Sequence, residues 1–317
     1  MNHKEPFFSV VISTKNRASL VYKAIQSIFN QTFQDFEIVV VDNASTDSTQ
    51  NVLEGIDDKR FTYLRNEIDR ERCYARNRGI QASKGEFICF LDSDDEYLPN
   101  HLQIIYDHIN ESDTNQALFF TNAYETYNFQ NLQERVCPNI NEYNLFDYLL
   151  TYTFNPARVA VHHSILDVYN FDEKIPGLED LDLWLRIATK YPVIQIQHRT
   201  ILYQIHEESY SISAPNRFKR ELALFKYVFS KRELNSYLPK RSMNRLISMC
   251  HYKISMAMST SFKPFLVHYH ILVAFVLYPK GYNMKSNKTM AVIFIDQLPL
   301  IGFVLKKSRD FVKSFVR

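Results

Sequence analysis

The chain of 317 residues is 46% hydrophobic and 14% aromatic, which is enough for one α/β domain with an additional region. It contains six glycines, and neither G-x-G-x-x-G nor G-x-x-x-x-G-K-S/T occurs, which excludes the glycine-rich phosphate loops. The net charge of +2 conceals an asymmetry between the two parts of the chain. Residues 1–215 contain 18 Lys and Arg against 31 Asp and Glu, whereas residues 216–317 contain 19 Lys and Arg against 4 Asp and Glu. This difference indicates two separate roles.

Strand-like and helix-like segments alternate over the first 115 residues. Apolar runs predict strands at Phe7–Ser13, Phe36–Val41, Phe61–Leu64 and Glu86–Leu91, and helical patterns lie between them at Arg17–Asn30, Ser45–Glu54 and Cys73–Ala82. This order predicts an α/β fold with a mostly parallel, Rossmann-like sheet flanked by helices. Because ligands bind beyond the carboxyl ends of such strands, we expect Thr14, Asp42 and the Asp92–Asp95 turn to share one crevice.

The pattern changes after residue 115. A strand at Ala117–Tyr124, helices at Leu145–Thr151 and Leu181–Thr189, and strands at Val193–Ile196 and Thr200–Gln204 are predicted. Beyond Pro215 the sequence is helical and basic. We therefore expect a catalytic domain at 1–213, with a nucleotide-binding half at 1–115 and an acceptor-side half at 116–213, followed by a basic helical region at 214–317.

An acidic turn follows the fourth predicted strand. Asp92, Asp94 and Asp95 stand within four residues, and carboxylates this close repel one another unless a cation or hydrogen-bond donors compensate them. Carboxylates together with diphosphate oxygens are the usual ligands of Mg²⁺ and Mn²⁺ in proteins. A solvated turn that caps a helix produces the same short pattern, so the turn alone does not decide between a metal site and a helix cap.

Several motifs occur together with this turn, in a fixed order. They are SVVISTKNR at 9–17, EIVVVDNASTD at 37–47, ARNRGI at 75–80, GEFICFLDSDD at 85–95, FDE at 171–173 and EDLDLWLR at 179–186. Their order and spacing over roughly residues 6–213 resemble the family 2 glycosyltransferases of GT-A fold. The resemblance implies an inverting enzyme that uses Mn²⁺ or Mg²⁺ and moves a sugar from a nucleoside diphosphate sugar, expected to be UDP-linked. The acceptor is then a hydroxyl of a glycan or lipid-linked molecule in surface polysaccharide synthesis.

The resemblance also implies roles for individual residues. Asp180 corresponds to the general base, with Glu179 beside it. The residues that correspond to the nucleotide-sugar site are Thr14, Asn16, Arg17, Asp42, Arg76, Asp92 and Ser93. The metal-binding positions are Asp94, Asp95 and His206. Lys15 stands where relatives often carry a tyrosine that packs on the base, so this sequence lacks the side chain for that stacking contact.

Two other functions fit parts of the same pattern. A sugar nucleotidyltransferase also uses a carboxylate-bound metal on an α/β sheet, although it usually has a glycine-rich loop that Ser13–Arg17 lacks. A catalytically silent protein that binds nucleotide sugars would keep the fold without the chemistry. Release of nucleoside diphosphate from the donor in the presence of Mn²⁺ separates these functions from glycosyl transfer.

The basic region at 214–317 has two readings. It is an ordinary helical subdomain, or it attaches the protein to an anionic membrane, in which case Lys306–Arg317 is the main candidate as an amphipathic basic helix. No nucleic-acid-binding module is recognisable. The four scattered cysteines and the short N-terminal apolar run indicate a cytoplasmic protein. If the basic region attaches to a membrane, the protein is expected to be peripheral on the inner face of the plasma membrane.

Overall fold

A computed structural model describes residues 5–127, 130–134, 137–175, 177–205, 217–258 and 264–277. The chain divides into two compact units, Met1–Ser213 and Ala214–Arg317.

The first unit is built on a nine-stranded sheet. Its strands are β1 (Phe8–Thr14), β2 (Phe36–Asp42), β3 (Phe61–Arg65), β4 (Phe87–Asp92), β5 (Glu96–Tyr97), β6 (Leu118–Tyr127), β7 (Gln130–Glu134), β8 (Val159–His162) and β9 (Val193–Ile205). Its helices are α1 (Ala18–Phe29), α2 (Thr49–Glu54), α3 (Glu71–Ala82), α4 (His101–Glu111), α5 (Leu145–Thr151), α6 (His163–Leu166) and α7 (Glu179–Ala188).

The strand order is β3-β2-β1-β4-β8-β6-β9-β5, with β7 paired to β6. Strands β3, β2, β1 and β4 are parallel, so their carboxyl ends lie on one edge of the sheet. Strand β8 runs antiparallel to both β4 and β6, and β9 runs parallel to β6. The expected α/β sheet with flanking helices is confirmed, and the antiparallel β8 joins its two halves.

The central strands are apolar because both of their faces are covered. In β1, Val10, Val11 and Ile12 are no more than 1% exposed, as buried parallel strands require. Helix α3 lies against β1 at Gly79, where an added Cβ would fall 2.4 Å from Cγ1 of Val11. This close approach fixes the distance between α3 and the middle of β1.

Three differences from the predicted elements have local causes. Helix α2 begins at Thr49 rather than Ser45, because residues 43–48 form a loop anchored by the hydrogen bond from Ser45 N–H to Asp42 Oδ1. The two strands predicted between 193 and 204 form one strand whose pairing with β6 shifts register near Asn122. Strands β5, β7 and β8 are short or polar, and their patterns were not recognised.

The second unit is helical where it is described. It contains α8 (Arg217–Phe229), α9 (Lys240–Met258) and α10 (Pro264–Leu277). Helix α9 packs against both α8 and α10. Within the described residues, no helix combines the length and the apolar character needed to cross a bilayer. The predicted basic helix at Lys306–Arg317 lies outside the described residues.

Candidate active site

The loops after β1 and β2 are tied to each other. Asn16 adopts a positive φ of 52°, its N–H donates to Ser45 Oγ at 2.9 Å, and its Oδ1 accepts from Thr46 N–H at 2.7 Å. Asparagine tolerates this conformation better than most residues. Thr14, at the end of β1, is 3% exposed, and its Oγ1 has no hydrogen-bond partner among the described protein atoms. A buried hydroxyl without a partner is costly, which fits a position that a ligand contacts.

Asp42, at the end of β2, is fully buried. Its Oδ2 accepts hydrogen bonds from Arg65 Nη1 at 2.7 Å and from the Tyr63 hydroxyl at 3.0 Å, and its Oδ1 accepts from Ser45 N–H at 2.9 Å. Arg65 is about a third exposed, at 35% of its side chain. The sequence gives no sign of Arg65 and Tyr63, which separate this carboxylate of the predicted nucleotide-sugar site from solvent.

Arg17 reaches the acidic turn from the start of α1. Its Nη1 lies 2.6 Å from Asp94 Oδ2 and 3.4 Å from Ser93 Oγ. The Asp94 side chain is 14% exposed. A guanidinium thus neutralises the partly exposed carboxylate that is predicted to hold a metal ion.

Arg76 connects two acidic motifs that are far apart in the sequence. It is 4% exposed on α3, and it donates to Asp92 Oδ1 at 2.7 Å and to Glu179 Oε1 at 2.9 Å. Its guanidinium also lies 5.3 Å from the centre of the Phe171 ring. Although burial acts to raise the pKa of Asp92, the charge and hydrogen bond of Arg76 outweigh it and lower that pKa.

Asp180 is the second residue of α7. The helix is entered through Gly177 and Leu178, which both have positive φ, at 116° and 63°. Leu181 N–H donates to Asp180 Oδ1 at 2.7 Å, so this carboxylate also satisfies a free donor in the first turn. Removal from water, and then the neighbouring charge of Glu179, raise the pKa of Asp180 to about 7. A carboxylate with this pKa exchanges protons near neutral pH.

Asp95 is buried and bonded to β9 and to Asn155. It is 1% exposed, its Oδ1 accepts from Gln204 N–H of β9 at 2.9 Å, and its Oδ2 accepts from Asn155 Nδ2 at 3.3 Å. Burial, followed by the charges of Asp94 and Asp92, raises its pKa well above the usual range. Both oxygens of Asp95 thus already accept hydrogen bonds from protein donors, and metal ligation by Asp95 stays a prediction.

The sequence and the fold are similar to those of known proteins. A sequence model described as glycosyl transferase family 2 matches residues 9–165. A glycosyltransferase of Methanocaldococcus jannaschii is 30% identical over 212 residues, which are 63% of this chain and 71% of the relative. The chain belongs to glycosyltransferase family 2.

Other relatives of this glycosyltransferase have more specific names. A β-1,3-glucosyltransferase of Escherichia coli, whose name gives UDP-Glc as donor and α-D-GlcNAc-diphosphoundecaprenol as acceptor, is 28% identical over 218 residues, or 67% of this chain and 81% of the relative. Among solved structures, TarS 1-349 of S. aureus in complex with UDP-GlcNAc aligns with a TM-score of 0.63 at 17% identity, covering 96% of this chain and 88% of TarS. A mannosyltransferase of Pyrobaculum calidifontis in complex with GDP-Man and Mn²⁺ aligns with a TM-score of 0.56 at 17% identity. The alignment covers 97% of this chain and 88% of the mannosyltransferase. These structures share the fold.

The glycosyltransferase brings most of its predicted site residues to one edge of the sheet. Thr14, Asn16 and Asp42 border the ends of β1 and β2, and the Arg17–Asp94 and Asp92–Arg76–Glu179 contacts lie at the ends of β1 and β4. Within the described ranges, no group of three or more His, Cys, Asp or Glu side chains is arranged to hold a metal ion. The predicted ligand His206 lies outside those ranges.

Proposed function

We propose that this glycosyltransferase moves a sugar from a nucleoside diphosphate sugar, with UDP as the expected carrier, to a hydroxyl of a lipid-linked or glycan acceptor, with inversion at the anomeric carbon. The named donor and acceptor of the E. coli relative support this substrate class, and the UDP-GlcNAc complex of TarS supports the choice of UDP. Synthesis of a surface polysaccharide is the corresponding cellular process.

The contact of Arg76 with both Asp92 and Glu179 carries the proposal. It joins the acidic turn, where the donor diphosphate is expected, to the first turn of α7, where the expected base lies. A reaction between donor and acceptor requires that both parts of the site face the same space, since holding two reactants together supplies much of the rate enhancement. Arg76 is thus proposed to fix the distance between the donor and acceptor sides.

Asp180 is proposed to take the proton from the acceptor hydroxyl as that oxygen attacks the sugar. Its pKa of about 7 suits this role, because a base is most effective when its pKa lies near the working pH. With one carboxylate acting on the acceptor and none attacking the sugar, the reaction is a single displacement. A single displacement inverts the configuration of the anomeric carbon.

A divalent cation is proposed to bind at Asp94, with Asp92 beside it and the donor diphosphate supplying further oxygens. The donor set fits such a site, because Asp94 is partly exposed and already binds a positive group, the guanidinium of Arg17. One or two carboxylates completed by phosphate oxygens and water are a usual environment for Mg²⁺. When bound, the ion would stabilise negative charge on the departing nucleoside diphosphate.

Product analysis tests the proposal. The purified full chain is incubated with Mn²⁺, a panel of nucleotide sugars and a lipid-linked acceptor, and NMR gives the anomeric configuration of the product. We expect nucleoside diphosphate release with an inverted linkage, and its loss in Asp94→Asn but not in the control Asp113→Asn, which changes an exposed aspartate. Retention of configuration contradicts the proposed mechanism. Pyrophosphate release from a nucleoside triphosphate and a sugar phosphate identifies a nucleotidyltransferase instead.

The proposed lipid-linked acceptor places the reaction at a membrane surface. A cytoplasmic enzyme that is peripheral on the inner face of the plasma membrane satisfies this requirement, and the basic composition of residues 216–317 supports it.

A further inference from the structure

Helix α10 exposes an apolar face. Ile271 and Ala274 are buried, at 1% and 0% exposure, on the side of a helix that packs against α9. Tyr269, Leu272 and Val276 are exposed by 57%, 46% and 69%. These three side chains are three and four residues apart, so they lie along one face of the helix, which we call the α10 face.

Two histidines and two lysines lie near the Tyr269 end of the α10 face. His251 of α9 and His270 of α10 share a hydrogen bond of 2.8 Å between their Nδ1 atoms, and the Tyr269 ring centre lies 6.5 Å from that of His251. Burial, and then the charges of Lys219 and Lys226 on α8, lower the pKa of His270. Both lysines are exposed, so their charges face solvent near His270, the residue that follows Tyr269 of the α10 face.

The surrounding helices are strongly basic. Residues 217–258 and 264–277 contain ten Lys and Arg against Glu221 and Glu233. The Glu221 carboxylate forms an ion pair with Arg217 at 3.3 Å, so its negative charge is already balanced by a basic residue of the same helix. An apolar stripe with a tyrosine at its edge and cationic groups beside it is the composition of surfaces that lie at a lipid headgroup boundary.

We infer that the α10 face, together with Lys219 and Lys226, docks onto a bilayer that contains anionic phospholipids. The apolar side chains enter the acyl boundary while the lysines meet the headgroup charges, so that burial of apolar area and electrostatic attraction act together. A second copy of the chain is a poorer occupant, because two such basic surfaces repel each other. The inference rests on the proposed function only for its biological purpose, which is access to a lipid-linked acceptor.

Vesicle flotation tests the inference. The full chain is mixed with vesicles of phosphatidylcholine and phosphatidylglycerol at 3:1, or of phosphatidylcholine alone. We expect the wild type to float with the anionic vesicles and to bind the neutral ones at least about tenfold more weakly. The double variant L272E/V276E is expected to lose at least about tenfold in affinity for anionic vesicles, since it places two charges in the acyl boundary. K219Q/K226Q is expected to weaken binding to anionic vesicles alone.

The control is L132E/V168E, which makes the same two chemical changes at side chains exposed by 59% and 70% in the other unit. It is expected to float as the wild type does. If L272E/V276E melts at a lower temperature than the wild type, L272S/V276S takes its place with the same expected direction. UDP binding, measured by thermal shift, is expected to be the same in all variants and reports on the proposed function separately.

Equal flotation of the wild type and L272E/V276E overturns the inference, and so does a wild type that does not float with anionic vesicles. A wild-type dimer in light scattering that L272E/V276E converts to a monomer, without vesicle binding, assigns the α10 face to self-association and likewise overturns it.

Discussion

Asp180 lies in the first turn of α7, and its pKa is raised to about 7, which suits the proposed general base at neutral pH. Burial contributes most to this shift and the charge of Glu179 comes next. Arg76 forms an ion pair with Glu179, so the pKa of Asp180 also depends on the position of Arg76.

The pH dependence of the reaction follows from this pKa. We expect kcat/KM to be half-maximal near pH 7 and to fall about tenfold per pH unit below it, because only ionised Asp180 accepts a proton. Glu179→Gln removes the neighbouring negative charge and is expected to shift this acidic limb to lower pH. A profile that is flat between pH 5 and pH 8, or a limb that Glu179→Gln moves to higher pH, contradicts the assignment.

The same shift affects stability. The folded protein binds the Asp180 proton more tightly than the unfolded chain does, because the pKa rises from 3.8 to about 7 on folding. The stabilising contribution is therefore complete below about pH 4 and is lost as the pH rises through about 7. We expect Asp180→Asn, a neutral mimic of the protonated group, to melt at a higher temperature than the wild type at pH 8, with a smaller difference at pH 5. An equal difference at both pH values, measured by calorimetry, contradicts this linkage.

Arg17 occupies the position next to Asp94 that a cation is proposed to take. Arg17→Ala removes a partly exposed ion pair, so we expect Mn²⁺ to bind about two- to fivefold more tightly in the absence of donor, the range that such pairs contribute. Isothermal titration measures this change. Lys15→Ala is the matched control, since Lys15 pairs with Asp69 outside the acidic turn. Weaker Mn²⁺ binding in Arg17→Ala than in Lys15→Ala is the opposing result.

At the scale of elements, the position of α3 depends on Gly79. An alanine there gains about 1 kcal/mol of helix propensity, but its Cβ would lie 2.4 Å from a methyl group of buried Val11, and overpacking of this kind costs about 1–3 kcal/mol. The steric effect is expected to prevail, with Gly79→Ala less stable in urea unfolding and slower in catalysis because Arg76 is displaced.

Gly55→Ala provides the comparison. Its Cβ would meet no atom closer than 3.4 Å, and Gly55 has an ordinary φ of −80°. We expect this variant to be neutral or more stable by up to about 1 kcal/mol. If both variants have the same stability, the close contact between α3 and β1 does not restrict the helix.

Much of the first half of the fold was predictable because its strands are continuous apolar runs separated by helical periodicity. The short strand β8 (Val159–His162) was not predicted, since four residues carry too little periodicity to distinguish a strand. At the site, motif order indicated Asp94 and Asp180. The burial of Arg76 and the shielding of Asp42 by Arg65 arise from tertiary contacts, and an arginine in a charged run of sequence gives no sign of either.

At the scale of the whole molecule, acidic residues predominate in the part of the chain that carries the proposed site, and basic residues predominate in residues 216–317. Attraction of the basic helices to anionic lipid is expected to be sensitive to salt. Raising NaCl from 0.1 M to 1 M shortens the screening length from about 10 Å to about 3 Å. We expect vesicle affinity to fall at least about tenfold over this range, with K219Q/K226Q less sensitive than the wild type. Salt-independent binding contradicts the electrostatic part of the inference.

The most direct test of the central claim is to measure transfer and donor binding together in Asp180→Asn. We predict that the turnover number falls by about 10²–10⁴-fold, the usual contribution of a general base, while the donor dissociation constant stays within about twofold of the wild type. Asp167→Asn, an exposed aspartate in the same unit, serves as control and is expected to retain full activity. Turnover of a nucleotide sugar by Asp180→Asn at near the wild-type rate would contradict the assignment of Asp180 as the base.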